Sequence, residues 1–192
     1  DEGHSNEPVH YIPIAPLVLL ESLEIPATGW KYSGYAREWK SVYSNILTMI
    51  DIKKEGKKEI SVKDLSTMRF WSNRWKGILR KVKSGKSNQR WFVGTYELDK
   101  KKNIVHITEL PYQEWNEPWI EKIKDKECVD SVDDNSTKLQ INIKITLKKG
   151  GYEKILKMHN ASKYKYFDAI ETYFSLKKRM NKNLNVILDG SV

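Results

Sequence analysis

The most regular stretch of the chain is residues 139–147, LQINIKITL. Leu139, Ile141, Ile143, Ile145 and Leu147 alternate there with Gln140, Asn142, Lys144 and Thr146. A strict period of two with one apolar set predicts a strand buried on one face. Three more strands are predicted at 75–82, 90–98 and 103–110. Their connectors, KSGKSN and DKKK, are rich in turn formers and lysine, so the three form an antiparallel meander. Over 36–51 the period changes: Trp39, Val42, Tyr43, Ile46, Met49 and Ile50 recur at helical spacing. The run YIPIAPLVLL, residues 11–20, is apolar but holds Pro13 and Pro16, which predicts a buried extended segment. After Pro111 the pattern is helical with a break near Pro118, and Gly150 and Gly151 precede a short helix near 152–158. Tyr166, Phe167, Ile170, Tyr173, Phe174, Lys177, Met180 and Leu184 trace the stripe of a long C-terminal helix. The predicted class is α+β: a mostly antiparallel sheet, meander plus one further strand, covered by helices.

Composition fits a globular chain of 192 residues, with 39% hydrophobic and 31% charged residues. That length is enough to bury a sizeable core. No apolar run reaches the roughly 18 residues that a membrane span needs, so no membrane partner is expected. The acidic, polar start DEGHSNEP is not a signal peptide. One cysteine, Cys128, excludes an internal disulfide and fits a reducing, intracellular compartment. The two Asn-x-Ser/Thr strings at 135–137 and 160–162 are therefore read as chance. Without an initiator methionine, the chain is expected to be part of a longer polypeptide.

Charge changes the picture more than composition does. The formal net charge is +9, and it is unevenly spread. Residues 53–102 hold 16 Lys/Arg against 5 Asp/Glu, residues 109–134 hold 3 against 9, and residues 138–182 hold 12 against 3. A basic surface favours a polyanion, because phosphate contacts release counterions from nucleic acid. Catalytic chemistry is sparse beside it. His4, His10, His106 and His159 are scattered, with no metal-ligand spacing. Ser84-Gly85-Lys86-Ser87 resembles the end of a phosphate loop, but Arg80 stands where that loop needs its first glycine. DSVDDNS, residues 130–136, lacks the ordered carboxylates of a calcium loop and is read as an acidic surface loop. Cys128 has no base nearby in sequence. Trp71 and Trp75 are read as core residues in preference to base-stacking ones.

Several strings occur in one order: EPVHYIPIAPLVLL (7–20), ATGW (27–30), Arg37-Glu38, WKGIL (75–79), ITELPYQEW (107–115) and TYFSLKKRM (172–180). Together they resemble the breakage-and-rejoining core of eukaryotic-type type IIA DNA topoisomerases, over about residues 7–183. ATGW is similar to the end of the family's glycine-rich DNA-bending loop, and WKGIL to its Phe-Lys-Gly-Thr-Ile strand. TYFSLKKRM is similar to the helix that leaves towards a coiled coil. The resemblance implies three parts: an entry segment with the DNA-bending loop at 1–35, a tower-like α+β domain at 36–164, and an exit helix at 165–192. It also implies that the parent is an ATP-hydrolysing homodimer acting on double-stranded DNA with Mg2+. The nucleophilic tyrosine, magnesium site and ATPase domain would lie before Asp1, so no catalytic or metal residue is assigned here and the piece alone is not expected to be active.

The departures from the pattern narrow the resemblance. ESLEIPATGW replaces the family's glycine-rich loop, the link from Trp30 to Arg37 is short, and a hairpin expected between His159 and Lys165 is missing. These point to a viral branch, such as the topoisomerases of large cytoplasmic DNA viruses, African swine fever virus among them. The host cytoplasm or the virion is then the expected location, or the nucleus for a cellular enzyme. The family's DNA-inserting isoleucine falls on Pro26. Minor-groove proteins insert apolar wedges between base steps, and proline is among the residues they use. Pro26 with Ile25 is therefore the expected wedge. Thr28, Gly29, Lys31, Arg37, Lys40, Arg69, Arg74 and Lys76 are expected to hold the DNA backbone. The alternatives are a free-standing basic nucleic-acid-binding module and a protein-interaction domain. Steep salt dependence of DNA binding would separate the DNA readings from the last.

Overall fold

The computed structural model describes residues 13–57, 59–84, 87–161 and 166–184. The first part of the entry segment (1–12), Lys58, Gly85 and Lys86, the 162–165 stretch and residues 185–192 lie outside them. The chain forms two compact units, residues 1–73 with 181–192, and residues 74–180.

In the first unit, α1 (Leu17–Leu20) is a single helical turn. It replaces the buried extended segment expected there, and Leu17 and Val18 are exposed. The strands β1 (Leu23–Ala27) and β2 (Trp30–Gly34) form an antiparallel hairpin, and β10 (Asn183–Leu184) pairs with the other side of β2. The helix α2 (Trp39–Lys54) confirms the predicted period, although its stripe is only partly covered. Val42, Asn45 and Ile52 are buried, whereas Trp39, Tyr43, Leu47 and Ile50 are exposed. Asn45 ties α2 to the chain that follows. Its Nδ2 donates to the Ser66 carbonyl, and its Oδ1 accepts from the Ser66 N–H and hydroxyl, each at 2.9 Å.

The second unit holds two antiparallel sheets. One has the order β3-β4-β9, from Ile78–Ser84, Ser87–Val93 and Lys177–Arg179. The other has the order β5-β6-β8-β7, from Thr95–Asp99, Ile104–Glu109, Ile143–Leu147 and Val129–Asp134. The helices α3 (Asn116–Ile123), α4 (Gly151–Asn160) and α5 (Ala169–Tyr173) supply the apolar cover of the four-stranded sheet. Val105, Ile107, Ile143, Ile145 and Leu147 from the strands share one buried cluster with Trp119, Ile123, Ile155, Ile170 and Phe174. The Trp119 Nε1–H, buried with its ring, donates to the Phe174 carbonyl at 3.0 Å.

The class read from the sequence therefore holds, and several elements differ. The predicted strand 90–98 is two strands that part at Gly94. A Cβ at Gly94 would lie 2.4 Å from the Glu109 carbonyl oxygen, so only glycine lets the chain cross there. The alternation at 139–147 is strand only from Ile143; Leu139 is exposed, in the turn joining β7 to β8. The acidic loop at 130–136 is mostly β7, an edge strand. Pro118 does not break α3. It is the third residue of that helix, inside the first turn, where an N–H has no helical partner to lose.

The largest correction is the long C-terminal helix, which is not formed among the described residues 166–184. Asp168 caps α5 reciprocally with Glu171, the helix lasts five residues, and Ser175 turns left-handed at φ 56°. Lys177, Lys178 and Arg179 then pair with Val93, Phe92 and Trp91 as β9. Phe167, Ile170, Phe174 and Met180 of the predicted stripe are buried, but of these only Ile170 lies within α5.

Candidate nucleic-acid interface

Thr28 and Gly29 are the two loop residues of the β1–β2 hairpin, closed by the Ala27–Trp30 pair. Gly29 has φ 76°, where a side chain is strained, and nothing lies within 4 Å of the place its Cβ would occupy. The tip is therefore blunt and open. Register assigns the remaining residues to sides. Ile25 faces Tyr32 across the hairpin and shares its side with Trp30. Pro26 faces Lys31 on the opposite side, where the Lys31 ammonium pairs with Glu24. The two residues expected to form one wedge thus point to opposite sides of a ribbon. Both are exposed, Ile25 at 52%, and Trp30, to which the sequence pattern assigns no role, is as open at 53%. Because β1 is an edge strand, Pro26 removes no hydrogen bond that a second neighbouring strand would require.

Three more of the expected backbone-holding residues lie in the same unit. The Arg37 N–H donates to the Leu19 carbonyl at 2.8 Å, and Arg37 forms an isolated bridge with Phe70. Lys40, exposed in the first turn of α2, sits 6.0 Å from the centre of the Trp39 ring. Arg69 is exposed, and its carbonyl accepts from the Glu38 N–H at 3.0 Å. Arg74 and Lys76 belong to the second unit, and both are exposed. The Lys76 N–H donates to Glu109 Oε2 at 2.9 Å. Trp71 is 46% exposed. Trp75 is half-buried, with Nε1 donating to the Leu110 carbonyl at 2.8 Å and its ring edge-on to Phe92 at 5.3 Å.

One strong electrostatic contact has no signature in the sequence pattern. Arg80 on β3 grips Glu171 on α5 through two parallel hydrogen bonds of 2.6 and 2.7 Å, while Glu171 is only 4% exposed. The hydrogen bond to this carboxylate raises the Arg80 pKa further above its ordinary value. The spacing Asp168-x-x-Glu171 is a capping-box signal and marks the start of α5.

Among the described residues no group of three or more His, Cys, Asp and Glu is placed to hold a metal ion. Ser84 and Ser87 pair across the β3–β4 hairpin, unlike the strand-to-helix turn of a phosphate loop. No helix among the described residues is long and apolar enough to cross a membrane.

The described residues thus hold an exposed two-stranded tip in one unit and an antiparallel α+β body in the other. Residues 1–191 match the family model described as DNA gyrase/topoisomerase IV, A subunit, and the chain belongs to that family. It is 26% identical over 197 residues to DNA topoisomerase 2 of African swine fever virus, strain Badajoz 1971 Vero-adapted, covering 97% of this chain and 16% of that protein. DNA topoisomerase 2 of Acanthamoeba polyphaga mimivirus is 29% identical over 111 residues, 58% of this chain and 8% of the relative. The Drosophila melanogaster enzyme is 29% identical over 125 residues, 64% of this chain and 8% of the relative. The fold is like the crystal structure of the Plasmodium falciparum topoisomerase II DNA-binding, cleavage and re-ligation domain. That likeness has a TM-score of 0.67 at 24% identity, over 94% of this chain and 22% of that one. The chain thus spans 16% of the length of the African swine fever virus relative.

Proposed function

We propose that this chain is the DNA-binding and DNA-bending tower segment of a type II DNA topoisomerase, which cleaves one duplex, passes another through it and rejoins the first. The observation that carries this reading is the blunt, exposed β1–β2 tip, with Pro26 and Lys31 on one side, inside a stretch that matches the family along its length. In this reading the tip enters the minor groove and Pro26 unstacks a base step, at about a few kcal/mol per step. Ile25 follows on the other side of the ribbon with Trp30. Thr28 and Gly29 offer a hydroxyl and N–H groups to a phosphate. Lys31, Arg37, Lys40, Arg69, Arg74 and Lys76 hold the arms of the bent duplex through phosphates, without reading sequence. Bending a site of 20–30 base pairs costs on the order of 1–6 kcal/mol, which is why several such contacts are required. The parent would work as a homodimer with Mg2+ and ATP supplied by its other parts. It would act inside the cell: in the host cytoplasm or virion if viral, in the nucleus if cellular.

The test is DNA bending by a full-length topoisomerase carrying this segment, read as energy transfer between dyes at the two ends of a short duplex. Pro26→Ala is expected to lose most of the bend and much of the cleavage. Its stability should fall by only about 0.4–1 kcal/mol, the unfolded-state share of a proline. Pro26→Ile should retain substantial bending because it restores an apolar wedge. Undiminished bending by Pro26→Ala would show that the kink is made elsewhere.

A further inference from the structure

The β3–β4 hairpin carries cations on one side that no role described so far uses. Along β3, Arg80 and Val82 turn to the side that packs on Phe167, so Lys81 and Lys83 turn to the other. On β4, Arg90 is the direct partner of Lys81, and Asn88 is the direct partner of Lys83. Lys81, Lys83 and Asn88 are exposed and Arg90 is half-buried. Partners across an antiparallel pair are about 4.5–5.5 Å apart at Cα. Alternate residues along a strand are about 6.8 Å apart. Three positive charges therefore share one small area of a twisted ribbon. Among the described residues, none of the three forms an ion pair. Like charges directly opposite in a sheet are destabilising.

The geometry points to a second DNA contact: Lys81, Lys83 and Arg90, with Asn88 as a neutral donor, grip consecutive phosphates of a duplex backbone. The inference rests on the DNA-binding reading of the chain and adds a contact that lies on the 74–180 unit. The ligand is a phosphodiester backbone and not a single anion, because the cations are spread over two strands of an open ribbon, Lys81 and Lys83 along β3 and Arg90 opposite on β4. Contacts of this kind hold a duplex in place and are indifferent to its sequence.

The measurement is the affinity of the 192-residue chain for two unrelated duplexes of about 30 base pairs over a range of salt. Replacing Lys81, Lys83 and Arg90 together by glutamine should lower the salt slope by about 0.9 for each phosphate no longer engaged, equally on both duplexes. Lys81→Arg with Lys83→Arg should keep the slope, and thermal unfolding of every variant should match the parent to exclude misfolding. An unchanged slope in the triple glutamine variant overturns the inference. If Pro26→Ala still abolishes bending in the full-length enzyme, that result leaves the proposed function standing. A parent chain with no affinity for either duplex overturns both. If polyglutamate binding depends on the three residues while duplex binding does not, the occupant is an acidic protein segment and the inference falls.

Discussion

Glu171 shows how much one residue can hold in place. Its carboxylate receives both arms of Arg80, and its Oε2 also accepts the N–H of Asp168, its capping partner, at 3.0 Å. A carboxylate this deeply buried is stable only with those partners, and losing it strands the guanidinium. Breaking a fully buried pair costs about 3–5 kcal/mol. Arg80 keeps 30% of its side chain in solvent, so the cost of Glu171→Ala should be smaller, roughly 2–3 kcal/mol. Urea unfolding measures it, and Arg80→Met combined with Glu171→Gln should cost less than the two changes summed, since neither then leaves a lone charge. A double variant that costs the full sum would mean that the two residues act independently.

Elements were legible where one physical signal dominated. The helix at 36–51 and the buried half of 139–147 were correct because apolar periodicity there coincides with burial of Val42 and of Ile143, Ile145 and Leu147. The C-terminal stripe misled because Ile170 and Phe174, in and capping one short helix, fill one core and Phe167 another, and tertiary pairing with β4 then draws Lys177–Arg179 into a strand. Local periodicity carries no record of that long-range partner. That Ile25 and Pro26 lie on opposite sides of a ribbon was not legible for a related reason. Treating 25 and 26 as loop hid the strand alternation that separates them. Gly94 is the clearest element-level control, since it ends β4 against the Glu109 carbonyl and its N–H donates to the Leu176 carbonyl at 2.9 Å. Gly94→Ala would force backbone apart, at about 1–3 kcal/mol. The loss should appear as a lower urea midpoint with an unchanged m-value, and an unaltered midpoint would show that the crossing tolerates a side chain.

At the scale of the whole molecule, charge governs how the chain responds to its medium. Burial works to raise the Glu114 pKa, but hydrogen bonds from Lys122 and Lys178 prevail and hold it below the ordinary 4.5. Those hydrogen bonds, at 2.9 and 3.3 Å, join the segment before α3 to α3 itself and to β9. Because the folded value is the lower one, the stabilisation is complete above 4.5 and disappears as the pH falls through the shifted value. Urea midpoints measured from pH 7 down to about 3 should therefore fall less steeply for Glu114→Gln than for the parent. Parallel acid limbs would show that other carboxylates control the loss.

The β1–β2 ribbon has a consequence for how its sequence can change. Ile25 and Pro26 are neighbours in the chain and opposites in space, and the side each occupies is fixed by its count of residues from the two-residue loop. Parity, more than identity, is what this segment encodes. One residue inserted between Pro26 and Thr28 would carry the proline to the side of Trp30, while two would return it to the side of Lys31. An insertion or deletion of odd length here exchanges the two sides, whereas one of even length only lengthens or shortens the ribbon.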